Sequence, residues 1–92
     1  MNKANWTLKY SGQSTDCLSF PFAFRMAYDM VRKAIEAKQS PASVAKEMVI
    51  LGPVNGRGER TKYTYSEAMD LAQDQGLLVG GNINSKEFKK KF

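Results

Sequence analysis

The chain has 92 residues, a mass of 10.3 kDa and a formal net charge of +5, which is enough for one small domain. It contains no histidine and a single cysteine, Cys17, which excludes imidazole catalysis, imidazole zinc sites and an internal disulfide. Residues 1–5 lack the apolar stretch of a secretory signal, and with the lone thiol they predict a reducing cytoplasm. The longest apolar run, residues 48–51, is far too short to cross a bilayer.

The first predicted elements form a β-hairpin. Apolar and polar residues alternate over 5–10 and again over 16–20, which is the period-2 pattern of half-buried strands. Residues 11–14, Ser-Gly-Gln-Ser, indicate a turn between them. This pattern places Leu18 and Phe20 on one face of the second strand.

A long helix is predicted from Pro21 to Lys38, because proline is tolerated in a first helical turn and no glycine or proline follows within the stretch. Apolar residues at helical spacing predict its buried face: Phe24, Tyr28, Val31 and Ile35. Charged residues four positions apart predict three ion pairs on the exposed face: Arg25–Asp29, Asp29–Lys33 and Arg32–Glu36. Such pairs stabilise a solvated helix face and require no ligand.

The next segment fits more than one structure. Ser40-Pro41 is typical of a helix start, with serine as the N-cap and proline at the first helical position. Four apolar residues fit one face of a helix, Val44, Ala45, Met48 and Val49, whereas residues 48–51 also fit a buried strand. We favour a helical turn over 41–46 followed by a strand over 47–51, because the alternating residues 61–65 need a pairing partner.

The second half of the chain repeats the order of a hairpin followed by a helix. Residues 55–58, Asn-Gly-Arg-Gly, indicate a tight turn. Thr64 and Glu67 match a capping box at the start of a helix. Gly76 suits the position just after the end of that helix.

These elements predict an α+β domain over residues 1–84 and a basic tail over 85–92. The domain is an antiparallel sheet of about four strands with two helices on one face, in the order ββαββα. Residues 65–79 also resemble the step from recognition helix to wing in winged-helix proteins. That alternative is disfavoured because the helix carries only acidic charges, which would repel phosphates: Glu67, Asp70 and Asp74.

No catalytic site is predicted. The acidic residues are scattered singly, so no carboxylate pair stands out as acid and base. Cys17 lacks an imidazole that would activate its thiol and is interpreted as a structural strand residue. The glycine-rich stretch 52–58 lacks the spacing of a phosphate-binding loop and is interpreted as a hairpin turn. We therefore expect a non-enzymatic protein with no cofactor and no bound metal.

Four aromatic residues of the predicted sheet could stack on single-stranded nucleic acid: Trp6, Tyr10, Tyr63 and Tyr65. Strand alternation argues against this role. Trp6 and Tyr10 share a face with Leu8, whereas the opposite face is polar and cannot cover the helices. The aromatic rings are therefore predicted to line the core.

Unpaired basic residues are the remaining candidates for a site. Arg57, Arg60 and Lys62 cluster at the second hairpin, and four lysines lie in the tail: Lys86, Lys89, Lys90 and Lys91. Their clustering predicts nucleic-acid association. The nearly neutral remainder of the chain favours the alternative, a protein-interaction module that uses Phe88 and Phe92, four positions apart, or an exposed sheet edge.

Overall fold

A computed structural model describes residues 5–91, with side chains described up to Lys89. Six strands form within this range: β1 (Trp6–Tyr10), β2 (Gln13–Cys17), β3 (Met48–Val54), β4 (Arg60–Thr64), β5 (Leu78–Val79) and β6 (Asn82–Ile83). The same range holds four helices: α1 (Phe20–Glu36), α2 (Pro41–Lys46), α3 (Tyr65–Asp74) and α4 (Ser85–Lys91). None of these helices combines the length and apolar character needed to cross a membrane.

Four strands form one antiparallel sheet in the order β2-β1-β3-β4. α1 packs across β1, β2 and β3, and α3 packs against β3 and β4. The central buried row of the sheet pairs Leu8 with Ile50 and Ile50 with Tyr63. The predicted α+β fold is confirmed, and the structure adds α4 and a small second sheet, β5–β6.

The first hairpin is tighter than predicted. Ser11 and Gly12 both have positive φ, 49° and 85°, as a two-residue type I′ turn requires. β2 therefore covers 13–17, and the predicted strand over 16–20 is wrong. Ser19 instead caps α1, accepting a hydrogen bond from the Phe22 amide, because a serine hydroxyl satisfies a free amide of the first helical turn. Leu18 is left 71% exposed between the two elements.

α1 buries most of its predicted face, including Phe24, Tyr28 and Val31, but Ile35 is half exposed. The helix ends in a Schellman arrangement. The amide of Gln39 donates to the Ala34 carbonyl at 2.8 Å, and that of Lys38 donates to the Ile35 carbonyl at 3.1 Å. Lys38 has a φ of 60°, so a lysine occupies the left-handed position where glycine is usual.

One of the three predicted ion pairs on α1 is present. Arg25 lies 3.3 Å from Asp29. Arg32 lies over the ring of Tyr28 at 5.5 Å, and no ion pair to Lys33 occurs in the described part of the chain. The weak attraction between exposed charges explains why a contact with an aromatic face can replace an ion pair.

The ambiguous segment forms both elements that we favoured. The Ser40 side chain accepts a hydrogen bond from the Ser43 amide at the start of α2, and β3 follows from Met48. β3 continues to Val54 and contains a bulge between Leu51 and Val54. A bulge accommodates a proline in a sheet because it interrupts the ladder of hydrogen bonds.

α3 confirms its predicted ends. Thr64 and Glu67 exchange both hydrogen bonds of a capping box. Gly76 has a φ of 77°, and the Leu77 amide donates to the Ala72 carbonyl at 2.8 Å. This second Schellman arrangement turns Leu77 into the core, where it is fully buried.

The C-terminal region is part of the domain. The Tyr28 hydroxyl donates to the Gly81 carbonyl, and the side-chain amide of Asn84 donates to the Gly76 carbonyl. Phe88 of α4 is buried in the main core, with a relative exposure of 3%. Within the segment predicted as a tail, 85–92, burial of the Phe88 ring attaches α4 to the helical layer of the domain.

Candidate functional site

No helix or strand of the described residues, 5–91, covers the face of the sheet turned away from α1 and α3. We call it the outer face, and it consists of two cross-strand rows, Asp16–Thr7–Leu51–Lys62 and Ser14–Lys9–Val49–Thr64, together with Arg60. Successive side chains of a strand point to opposite faces of the sheet. The residues of the outer face therefore alternate along each strand with the residues that face the helices. The strands place one carboxylate on this face, that of Asp16, and three cations.

Arg60, which the sequence predicts as a nucleic-acid contact, forms its side-chain hydrogen bonds within the sheet. Its guanidinium donates to the carbonyls of Gly52 at 2.9 Å, Asn5 at 3.1 Å and Leu51 at 3.4 Å. A further N–H donates to the Thr7 hydroxyl at 3.0 Å. The bulge in β3 breaks the ladder beside Gly52, and an arginine can satisfy the freed carbonyls because it presents five N–H donors in a fixed plane. Arg60 is a structural clamp.

The clamp extends across the whole sheet. Thr7, which is only 5% exposed, accepts a hydrogen bond from Arg60 and donates one to the Asp16 carboxylate at 3.1 Å. One chain of hydrogen bonds therefore joins β4 to β1 and β2. A buried hydroxyl that both accepts and donates leaves no polar atom unsatisfied.

Arg57 lies at the tip of an ordered loop between β3 and β4. The side-chain oxygen of Asn55 accepts from the amides of Arg57 at 2.9 Å and Glu59 at 3.2 Å. The Gly58 amide donates to the Asn55 carbonyl at 3.0 Å, and Gly58 has a φ of 81°. This is a three-residue hairpin loop with a bulge at glycine. Arg57 is exposed and has no side-chain partner among residues 5–89.

Lys62 lies on the outer face as the alternation predicts, opposite Leu51. Lys9 lies on the same face, opposite Val49, and sequence reasoning did not select it. Both lysines are exposed, and neither side chain forms an ion pair or hydrogen bond within residues 5–89. In its own strand each lysine lies on the face opposite the aromatic residues, and this alternation was the available signal. It places Lys9 and Lys62 on a common face only once the two hairpins are known to pair.

The described lysine side chains of α4 belong to the other layer of the protein. Lys86 and Lys89 are exposed on a helix that Phe88 attaches to the helical side. The guanidinium of Arg25 on α1 lies 5.6 Å from the centre of the Phe88 ring. The predicted basic residues therefore do not form one surface. The side chains of Lys90 and Lys91, and all of Phe92, lie outside the described residues.

Phe88, predicted to bind a partner, is buried among the core residues. A phenylalanine that binds a partner has to be accessible, so in this conformation the ring contributes to the core. The sequence showed two phenylalanines beside a lysine cluster, which is consistent with a docking segment or with a helix that packs on its own domain. Only the position of α1 and the rest of the core decided between these two interpretations.

The aromatic residues considered for base stacking lie on the helical side of the sheet. The Trp6 ring is 5.1 Å from that of Phe20 and stacks on Tyr63 at 5.9 Å. Tyr65 stacks on Phe24 at 6.5 Å. The prediction that these rings face the core is confirmed, and Trp6, Tyr63 and Tyr65 are half-buried there.

Cys17 is a buried free thiol. Burial raises its pKa, and the nearby Asp16 carboxylate raises it further, against a backbone hydrogen bond at Leu8 that lowers it. A thiol with a raised pKa is a poor nucleophile at neutral pH. Residues 5–89 contain no group of side chains suited to hold a metal ion.

One shallow groove of about 280 Å³ lies between α1, the α1–α2 connection and Tyr10. Its wall is mainly apolar and includes Met30, Ala34 and Val44, with Lys33 at the side. Ligand sites usually have volumes of about 300–1,000 Å³ and several convergent polar groups. This groove therefore gives no candidate for a substrate site.

No protein-family model, curated protein or solved structure matches this chain.

Proposed function

We propose that the protein is a small non-enzymatic accessory module that associates with nucleic acid. The observation that carries the proposal is the uncovered outer face, on which Lys9 and Lys62 have no anionic partner and beside which the ordered hairpin presents Arg57. We call these three residues the outer basic set. Phosphates are the ligands that unpaired lysine and arginine side chains recognise without a shaped pocket.

The fixed charge of Arg60 supports the same proposal. Its hydrogen bonds hold a cation against the sheet between Lys62 and the hairpin loop. A stationary charge raises the positive potential of the face, even though its donors are occupied. The exposed lysines of α4 add a second, separate contact that can engage a long polyanion.

The buried free thiol fits a reducing compartment, and we propose that the module acts in the cytoplasm.

The test is the salt dependence of duplex DNA binding, followed by fluorescence anisotropy. Each neutralised phosphate contributes about −0.9 to the slope of log affinity against log salt, so the outer basic set contributes about −2.7. Replacing Lys9, Arg57 and Lys62 with alanine should remove that contribution. Lys33→Ala, which removes an exposed lysine from the helical layer, is the matched control and should leave the slope unchanged. A slope flatter than about −2 for the intact protein contradicts the proposal.

The contribution of α4 needs its own variant. Removing residues 86–92 would also remove the buried Phe88 ring and damage the core. Lys86→Ala with Lys89→Ala keeps that ring and should reduce the slope by about 1.8 if both lysines meet phosphates. An unchanged slope would show that only the outer face binds.

A protein-interaction module remains the second candidate, because a specific observation favours it. β2 is an edge strand, and the exposed Leu18 follows it directly. An uncovered edge with an apolar neighbour is a site where another strand can add. A second copy of the chain is the simplest probe. Self-association in sedimentation velocity that Leu18→Ser abolishes would favour this function, and a monomer at all concentrations would exclude pairing of this edge with a second copy.

A further inference from the structure

The outer face presents cations without aromatic rings. Its strand positions hold serine, threonine, aspartate, lysine, arginine, valine and leucine, whereas the aromatic side chains of the sheet pack on the helical side. We infer, on the basis of the proposed function, that the nucleic acid bound here is a duplex, contacted through its phosphates and not through its bases.

The positions of the rings argue against a single-stranded ligand. Proteins that bind single strands gain much of their affinity by stacking bases on exposed aromatic rings. Trp6 lies half-buried between Phe20 and Tyr63 on the helical side of the sheet, with ring centres 5.1 and 5.9 Å away. The face therefore offers an unstacked base no aromatic ring.

The spacing of the lysines fits a polyanion with phosphates in fixed positions. Lys9 is on β1 and Lys62 is on β4, with β3 between them and an offset of two residues along the strands. Their Cα atoms are consequently about 12 Å apart, from a strand spacing of about 4.8 Å and a rise of about 3.4 Å. Two cations at this distance can meet separate phosphates, and the hydrogen-bonded sheet fixes the positions of their Cα atoms.

A duplex gains more than a single strand from the same contacts. Each phosphate contact contributes about −0.9 to the salt slope for duplex DNA and about −0.7 for a single strand. For three contacts the slopes are about −2.7 and −2.1, which amounts to roughly sixfold tighter duplex binding at about 50 mM salt if the affinities meet at 1 M. Phosphate contacts carry no sequence information, so unrelated duplexes should bind equally.

The experiment uses the full chain, a labelled DNA duplex of about 20 base pairs and its two separated strands, at several salt concentrations. We expect the duplex to bind several-fold more tightly than either strand, with Trp6 emission unchanged by both ligands. Lys9→Ala with Lys62→Ala should weaken duplex binding, and Lys33→Ala should not.

Tighter binding of a single strand, or quenching of Trp6 by its bases, would overturn this inference while the proposed function stands. Failure to bind any of the three DNA molecules at low salt would overturn the proposed function itself.

Discussion

The guanidinium of Arg60 on β4 donates to the hydroxyl of Thr7 on β1 over 3.0 Å, across the intervening strand β3. The same hydroxyl donates to Asp16 on β2. A single polar chain therefore links all four strands on the face that no helix covers. On this face the strands are joined by these hydrogen bonds, whereas on the other face they are stabilised by apolar packing against the helices.

This relationship predicts that replacing Arg60 lowers stability whereas replacing Lys62 weakens DNA binding, although both are basic residues of one strand. Arg60→Ala should lower the free energy of unfolding by about 1–3 kcal/mol, because the carbonyls at the bulge lose their charged donor. Lys62→Ala should change it by less than about 0.5 kcal/mol and reduce the DNA salt slope by about 0.9. Urea unfolding and anisotropy measure the two effects. Equal destabilisation by both variants would contradict the clamp.

Gly52 should not tolerate a side chain. A Cβ there would collide with the Thr61 hydroxyl and lie 3.0 Å from the Trp6 ring. Gly52→Ala should therefore cost about 1–3 kcal/mol through overpacking. Gly56→Ala is the matched control, since a Cβ at that position meets nothing within 4 Å and should be neutral or slightly stabilising. Thermal melting of the two variants compares them directly.

Phe88 should behave as a core residue. Phe88→Ala should lower the free energy of unfolding by roughly 3 kcal/mol, because a buried ring is removed. Lys89→Ala, its exposed neighbour on α4, should change stability by less than about 0.5 kcal/mol. Unchanged melting of the Phe88 variant would mean that the ring is accessible in solution, and partner binding by this residue would return as an explanation.

Lys38 offers a stabilising substitution. Its φ of 60° is costly for a residue with a Cβ, and glycine adopts it freely. Lys38→Gly should raise the free energy of unfolding by about 0.5–1 kcal/mol. Lys33→Gly makes the same chemical change inside α1 and should lower it by about 1 kcal/mol. The opposite signs, read from urea unfolding curves, test the Schellman geometry.

The raised pKa of the buried Cys17 thiol should make the stability of the protein fall at alkaline pH. Its pKa is raised in the folded state, so the unfolded chain releases the thiol proton at a lower pH than the folded one. Stability from this group is complete below the unfolded pKa of about 8.5 and falls as the pH rises towards the folded value. Cys17→Ala should flatten the loss of stability above about pH 8.5. An identical alkaline profile for the variant would show that the thiol is not desolvated.

The ends of the helices were readable from the sequence, because they depend on neighbouring residues. Ser40-Pro41, Thr64 with Glu67, and Gly76 satisfy backbone groups within one turn of their own position. The period-2 pattern likewise placed Trp6 and Tyr63 on the core face. One local pattern predicts the wrong element: alternation over residues 16–20 indicates a strand, whereas Ser19 is the N-cap of α1.

The sequence by itself determined the α+β class, the positions of most elements and the side of the sheet that is buried, since all three follow from short-range pattern and capping. The tertiary structure decided which basic residues are free. Arg60 is 53 residues from Thr7 along the chain, and only the pairing of β1 with β3 brings them together. Phe88 is fixed by contacts with Arg25 and the core in the same way. The contacts of these side chains are made with residues distant in sequence. They form only when the elements pack, so a local sequence pattern cannot predict them.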